Sequence, residues 1–216
     1  KGLNPEARMK DSGVEWLGDV PEEWKVLGLG KVIVFMCNGS SATQIEQAVG
    51  LVPVTRIETI SGGSFNYERV GYVREREVAE RHLLKFGDIQ FSNINSLSMV
   101  GNCAMYEECD VLYAGMNLLH IRPNSDLVRP RYMHYQFKTK LFRNCVEASA
   151  KPAINQASIP AGTLRSFNFV CPPIHEQTQI AEFLDLGTVS NLTGSLGDDA
   201  LAEGQAVANG DEPRDS

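Results

Sequence analysis

KPAINQ (Lys151 to Gln156), SFNFVC (Ser166 to Cys171), CPPIHEQ (Cys171 to Gln177) and QIAEFLD (Gln179 to Asp185) follow one another in the last third of the chain. Together they read as a junction. SFNFVC has the aromatic and β-branched composition of a strand, and Pro172-Pro173 ends ladder pairing because neither residue offers an N–H. Glu176 then falls in the first turn of a new helix, where negative charge suits the positive end of the dipole. Ile180 and Leu184, four apart, give that helix one apolar stripe. A globular head is closed by a strand and handed to an outgoing helix.

Working back from the junction, Pro130 is placed to open a helix. Met133, Phe137, Leu141 and Cys145 recur every four residues as its core-facing stripe, with Gln136, Lys140, Arg143 and Glu147 roughly opposite. Lys138, Lys140 and Arg143 read as charges on the exposed helix face. Val32 to Met36 (VIVFM) and Val52 to Ile60 (VPVTRIETI) predict strands, Gly62-Gly63 a loop, and Glu75 to Leu84 a helix with Ala79 and Leu83 on one side. Gly87-Asp88 turns into Ile89 to Ser92. Gly101 to Tyr106, Val111 to Tyr113 and Asn117 to Ile121 predict antiparallel strands. Residues up to about Lys25 read as a lead-in with a turn at Asp19 to Pro21. Many strands with a few interleaved helices make an α+β fold, not a doubly wound one.

The chain of 216 residues can hold one sizeable core, or one domain with an appendage. Its 43% hydrophobic and 22% charged residues are ordinary for a globular protein. No apolar run approaches the ~18 residues that span a bilayer, and KGLNPEARMK lacks a signal-peptide core. The expectation is a cytoplasmic protein with no membrane partner. Five cysteines without CxxC spacing and four histidines without HxxxH spacing supply no zinc site, and the thiols read as reduced and mostly buried. Net charge is −7, but residues from Leu186 onward hold six acids and one base, which leaves 19 bases against 21 acids before them. A nearly neutral head does not by itself suggest nucleic acid.

Beyond Asp185 the composition changes. Leu186, Val189, Leu192 and Leu196 keep a 3–4 spacing like a decayed heptad seam. Gly187, Gly194 and Gly197 would cost a helix there about 3 kcal/mol relative to alanine. Residues 187–216 are therefore expected to be an acidic, glycine-rich, poorly ordered tail.

Motifs for catalysis are missing: there is no GxxxxGK[ST], no GxGxxG after a strand and no HExxH. Cys171-Pro172-Pro173-Ile174 lacks the polar and aromatic flanks of an amino-methylating Pro-Pro turn. Asp88 and Glu107/Glu108 lack the Glu-x-Lys arrangement of a nuclease and read as solvated acids near a glycine turn. Binding reads better. Duplex recognition needs amides and guanidinium groups on loops, with Lys and hydroxyls for phosphates. GDIQFSNINSLSMVG (Gly87 to Gly101) gathers Gln90, Ser92, Asn93, Asn95, Ser96 and Ser98, although its Asn and Ser side chains could equally stabilise a polar turn. SAKPAINQ offers Lys151 to phosphate and Asn155 and Gln156 to a base or to the loop backbone. Arg56, Arg69, Arg74 and Arg76 surround the Gly62-Gly63 loop as phosphate clamps, a guanine contact or ordinary surface charges.

In its letters, the junction resembles the end of a target recognition domain in the specificity (S) subunit of type I restriction-modification systems. KGLNPEARMKDSGVEWLGDVPEEWKV (Lys1 to Val26) is similar to the segment entering such a domain, with Trp16 and Trp24 as aromatic anchors. The resemblance covers about Lys1 to Asp185. It implies a lead-in over 1–25 (with KGLNPEA the tail of a preceding spacer helix, or Met9 a start), a recognition domain over 26–173, and the start of a spacer helix over 174–186. It implies a single mainly antiparallel domain that reads one half of a bipartite duplex DNA site and does no chemistry. Modification subunits would bind S-adenosylmethionine and methylate adenine, and restriction subunits would use ATP and Mg to cut DNA, so this chain would bind none of these cofactors. In such relatives the GDI-x-(F/V)-S stretch belongs partly to the core. The tail departs from the family, which continues into a long spacer helix that docks the modification subunits. A half-length subunit, a truncated non-functional remnant and a stand-alone methyltransferase or nuclease fragment follow as alternatives.

Overall fold

Ile89, Phe91, Leu119 and Ile121 alternate with Gln90, Ser92, Leu118 and His120 on two paired strands, and that alternation organises the molecule. The computed structural model describes residues 3–15, 17–154 and 156–186. Trp16 and the tail beyond Leu186 lie outside the described residues. Among those described, the strands in chain order are Met9–Asp11 (β1), Asp19–Pro21 (β2), Lys25–Gly28 (β3), Ile33–Asn38 (β4), Leu51–Val54 (β5), Gly71–Arg74 (β6) and Ile89–Ser92 (β7). Then come Ile94–Asn95 (β8), Cys103–Met105 (β9), Leu118–Pro123 (β10), Lys151–Ala153 (β11), Gln156–Ser158 (β12) and Asn168–Cys171 (β13). Helices are Pro130–Lys138 (α1), Lys140–Ser149 (α2), Ala161–Arg165 (α3) and residues 174–186 (α4). The mixed α+β architecture agrees with the sequence reading.

The central sheet has the order β4-β10-β7-β9 and is antiparallel throughout. Register places Ile89, Phe91, Leu119, Ile121, Met36, Cys103 and Met105 on one face, where they join the main core. Phe137 of α1 meets Phe91 edge-to-face at 5.8 Å and stacks on Phe142 of α2 at 4.7 Å. Burying each such side chain contributes about 1.5–3 kcal/mol. The opposite face carries Gln90, Ser92, His120 and Cys37, with Ala104 and Leu118 under the Ile57–Ile60 turn. The β5–β6 hairpin lies on that side, joined to it through Thr55. Gly115 meets this lobe backbone to backbone: a Cβ there would collide with the Thr55 carbonyl oxygen.

Five expectations are corrected. The single helix after Pro130 is two, because Thr139 adopts extended backbone (φ −62°, ψ 143°) and its hydroxyl accepts from the Phe142 N–H at 3.2 Å. That new N-cap advances the buried stripe of α2 to Phe142 and Val146, and Leu141 is left exposed. The strand over Val52–Ile60 stops at Val54, since the Thr59 hydroxyl accepts from Arg56 N–H (2.8 Å) and donates to the Arg69 carbonyl (2.6 Å), which closes a turn. Glu75–Leu84 forms two separate 3₁₀ turns, Glu75–Glu77 and Glu80–His82, instead of a helix. Val78 and Leu83 pack on Val54 and Val73 while Leu84 enters another cluster, a placement one helical stripe cannot reach. Asp19–Pro21 is a strand, and the chain turns after it, Trp24 N–H donating to the Pro21 carbonyl at 2.9 Å. Val111–Tyr113 contributes isolated bridges at Tyr113 in place of a strand.

Candidate nucleic-acid interface

The two polar stretches picked from sequence are joined by backbone pairing. β11 and β12, the arms of KPAINQ and its continuation, form a hairpin with Lys151 opposite Ser158 and Ala153 opposite Gln156. β12 also pairs with β8 from the Gly87–Gly101 stretch, Ala157 facing Asn95 and Ser158 facing Ile94. Ala157 points into the main core. Strand alternation therefore turns Lys151, Ala153, Gln156 and Ser158 to the outer face of this small sheet. Lys151, Gln156 and Ser96 are exposed there, and the candidate Asn155 lies outside the described residues.

Other candidates from the same stretch point inward. Gln90 and Ser92 are fully buried and Asn93 nearly so. The Gln90 side-chain oxygen accepts from the Thr55 hydroxyl at 3.0 Å, and Thr55 in turn accepts from the Gly115 N–H at 2.8 Å. The Ser92 hydroxyl accepts from the Asn95 amide at 3.1 Å, while the Asn95 oxygen accepts from Ser96 N–H at 2.8 Å. Asn93 accepts from Ile159 N–H through its backbone, which fixes the loop to the segment after β12. These residues build the loop and cannot present base-reading groups in this conformation. The reason is the second buried face of the sheet: Gln90 and Ser92 alternate with core residues but are covered by the β5–β6 lobe.

The arginines divide. Arg56 and Arg69 are exposed and share Thr59 as an anchor, the Arg56 Nε donating to Gln44 Oε1 at 2.5 Å. Arg74 pairs with Glu77 at 3.0 Å, an exposed pair worth little in stability. Arg76 is exposed as well.

Two cations that the sequence reading treated as helix decoration border a cleft of about 360 Å³ between the Gly62-Gly63 loop, the Gly101–Cys103 segment and the two helices. Arg143 donates to Asn102 Oδ1 and to the Ser98 carbonyl, both at 3.0 Å, and Asn102 donates to the Ser61 carbonyl at 3.4 Å. Lys138 reaches the same cleft beside Gly63, whose φ of +79° suits glycine. Five residues apart on one helix, Lys138 and Arg143 would diverge by about 140°. The break at Thr139 brings them to one cleft, and the Lys-Thr-Lys sequence was the available signal. Cys103 lies in the same wall, and burial pushes its thiol up to about 12, so it stays protonated.

Beneath the interface, Asp88 binds His120 Nε2 at 2.7 Å and Arg122 through both its carboxylate oxygens at 2.8 and 2.6 Å. Burial alone would raise its pKa, but hydrogen bonds from Arg122 and His120 hold the carboxyl below its usual range. Arg122 also lies 4.7 Å from the centre of the Phe35 ring. Asp88 is thus buried rather than solvated, and Glu107 pairs with Arg131. Among the described residues no three His, Cys, Asp or Glu side chains converge to hold a metal.

Comparison with known proteins gives this geometry a family. Residues 21–189 match the type I restriction modification DNA specificity domain. The chain belongs to that family. It is 37% identical over 183 residues, 83% of this chain and 42% of the relative, to a Methanocaldococcus jannaschii protein described as the type I restriction enzyme MjaX specificity subunit. It is 27% identical over 206 residues, covering 84% of this chain and 44% of the relative, to the type I restriction enzyme EcoKI specificity subunit of Escherichia coli. The HsdS subunit of Thermoanaerobacter tengcongensis has a similar fold, with a TM-score of 0.57 at 16% identity over 90% of this chain and 52% of that one. The chain therefore spans less than half the length of the curated relatives it matches.

In this specificity domain the CPPIHEQ junction has a physical cause. Gln177, fully buried, donates to the Pro172 carbonyl at 2.8 Å and to the Leu127 carbonyl at 3.0 Å, and accepts from Arg129 N–H at 2.8 Å. One amide thus ties the Pro-Pro turn to the approach of α1. Glu176, read from sequence as a dipole partner, also accepts from the Trp24 indole at 2.8 Å. Farther along α4, Asp185 accepts from Arg131 Nε of α1 at 2.7 Å. Ala181 is buried and Ile180 packs on the core, whereas Leu184 of the expected stripe stays exposed.

Proposed function

We propose that this chain is the sequence-reading portion of a type I restriction-modification specificity subunit and recognises one half of a bipartite duplex DNA site. The observation that carries the proposal is the pairing of β8 with β12, which assembles Ser96, Lys151 and Gln156 on one surface. Lys138 and Arg143 border the neighbouring cleft and suit phosphate oxygens, and Arg56 and Arg69 offer further backbone contacts. Of the amides chosen from sequence that lie among the described residues, Gln156 is the exposed one, so base reading falls to the KPAINQ hairpin.

In this role the chain reads DNA and leaves the chemistry to others. Modification subunits would dock on it and supply S-adenosylmethionine and the methyl transfer, and restriction subunits would supply the ATP- and Mg-dependent cutting. The near neutrality of the head fits a reader that binds weakly alone and gains phosphate contacts from its partners. Residues 26–173 would be the recognition domain and 174–186 the start of the spacer, in the cytoplasm with the chromosome. No helix among the described residues is long and apolar enough to cross a membrane.

The test is the adenine-methylation pattern of the source cell with and without this gene. A bipartite motif that vanishes on deletion is the expected result. An unchanged pattern, or methyl transfer by the purified chain alone, would overturn the proposal.

A further inference from the structure

The tip of the β11–β12 hairpin carries a side chain that folding does not account for. Ile154 is 94% exposed, and Leu97 on the neighbouring loop is 56% exposed. Register puts the two at the same end of the small sheet. With Ala157 opposite Asn95 and Ser158 opposite Ile94, the segment that turns at Ser96–Val100 leaves β8 at the end of the small sheet where β12 begins and β11 finishes before Ile154. Their neighbours are polar: Gln156 and Ser96 are exposed, Ser96 and Ser98 share a hydrogen bond at 3.3 Å, and Arg143 fixes the Ser98 carbonyl.

Single exposed apolar residues are common. Two at the tips of adjoining loops, beside a cation-lined cleft, suit an anionic, polar partner that carries a small apolar group. Duplex DNA presents one such group at its base edges, the 5-methyl of thymine in the major groove. That groove, about 12 Å wide, admits a two-stranded β-ribbon, and Ile154 sits at the turn end of the β11–β12 hairpin, whose second strand is also paired with β8.

We propose that Ile154, with Leu97 beside it, is a specificity-determining contact for the 5-methyl group of a thymine in the recognised half-site. This rests on the DNA-reading role above. It adds an apolar readout, selecting T·A over C·G at one position, to the hydrogen-bonding readout of the amides.

The experiment uses the whole specificity subunit assembled with its modification partner, on a half-site defined by mapped methylation. Each thymine is replaced in turn by deoxyuridine, which removes the methyl and keeps the base pairing. One position should weaken binding about four-fold, the worth of one buried methyl. Ile154→Ala should abolish that thymine–uracil difference while leaving the ranking at other positions intact, and Ile154→Val should lie between. Uracil tolerated at every position, a half-site without thymine, or a difference that survives Ile154→Ala would overturn the proposal. So would loss of partner assembly in Ile154→Ala, which would make the residue a protein contact. Failure of the unaltered complex to bind any sequence selectively would instead remove the DNA-reading role itself.

Discussion

The two faces of the central sheet are both buried, yet they are held by different forces. One face offers Ile89, Phe91, Leu119 and Ile121 to helices α1 and α2, where aromatic packing dominates. The other offers Gln90, Ser92 and His120, where the Asp88–Arg122 network and the Thr55–Gln90 bond close against the β5–β6 lobe. Apolar packing is non-directional and tolerates adjustment. Buried hydrogen bonds are directional and costly when half made. The polar layer therefore sets the geometry of the candidate loops, and the apolar layer supplies most of the stability.

That division can be broken most directly with Phe137→Ala, which should cost about 3–5 kcal/mol in urea unfolding because Phe91 and Phe142 both lose a ring. Asp88→Asn should cost about 3 kcal/mol, less than an enclosed pair because Arg122 is partly exposed. If the polar change proved the larger, the assignment of stability to the apolar face would fail.

Titration separates the faces again. Burial and the nearby Lys138 lower the His134 pKa to about 4, so its unfolded form binds a proton first as pH falls. Stability should drop by roughly 2 kcal/mol from pH 6.5 to 4, allowing for partial exposure, and His134→Gln should flatten that decline. Asp88, with its pKa depressed, contributes stability above pH 3.8 that is lost only as pH falls below it. The stability gap between the unaltered protein and Asp88→Asn should therefore be full above that value and narrow as pH falls below it.

Smaller effects sharpen the picture. Lys138→Ala should leave folding intact, weaken DNA binding by the assembled complex by about 1 kcal/mol across sequences, and lower the salt slope by about one. Gln90→Leu should change stability by less than about 1 kcal/mol, since the Gln90 amide nitrogen has no partner and Thr55 keeps its bond to Gly115. A large loss there would show that the amide is needed for more than alignment.

Much of this was legible in sequence. The strands near Val32, Ile89, Gly101, Asn117 and Ser166, the Pro-Pro stop and the outgoing helix all appear where local pattern put them. Local pattern failed where distant segments decide the outcome. Gln90 and Ser92 look like surface polar residues because alternation usually marks a solvated face, and only the covering lobe reveals them as interior. The break at Thr139 is one hydroxyl capping the next helix, and it reassigns both the buried stripe and the cleft cations. Val78, Leu83 and Leu84 each answer to a different neighbour, which no helical period could foretell. For the candidate interface, Lys151 and Gln156 were visible as loop polarity, whereas Ile154 and Lys138 needed the register and the fold.

The strand that leads into the head, β3, is zipped to the strand that leads out, β13, and Trp24 latches onto Glu176 just beyond them. Both ends of the domain thus emerge at a single doorway. A segment built this way has the form of a cartridge: on the proposed DNA-reading role, exchanging it between relatives that keep the doorway should change target preference, with both points of attachment left as they were.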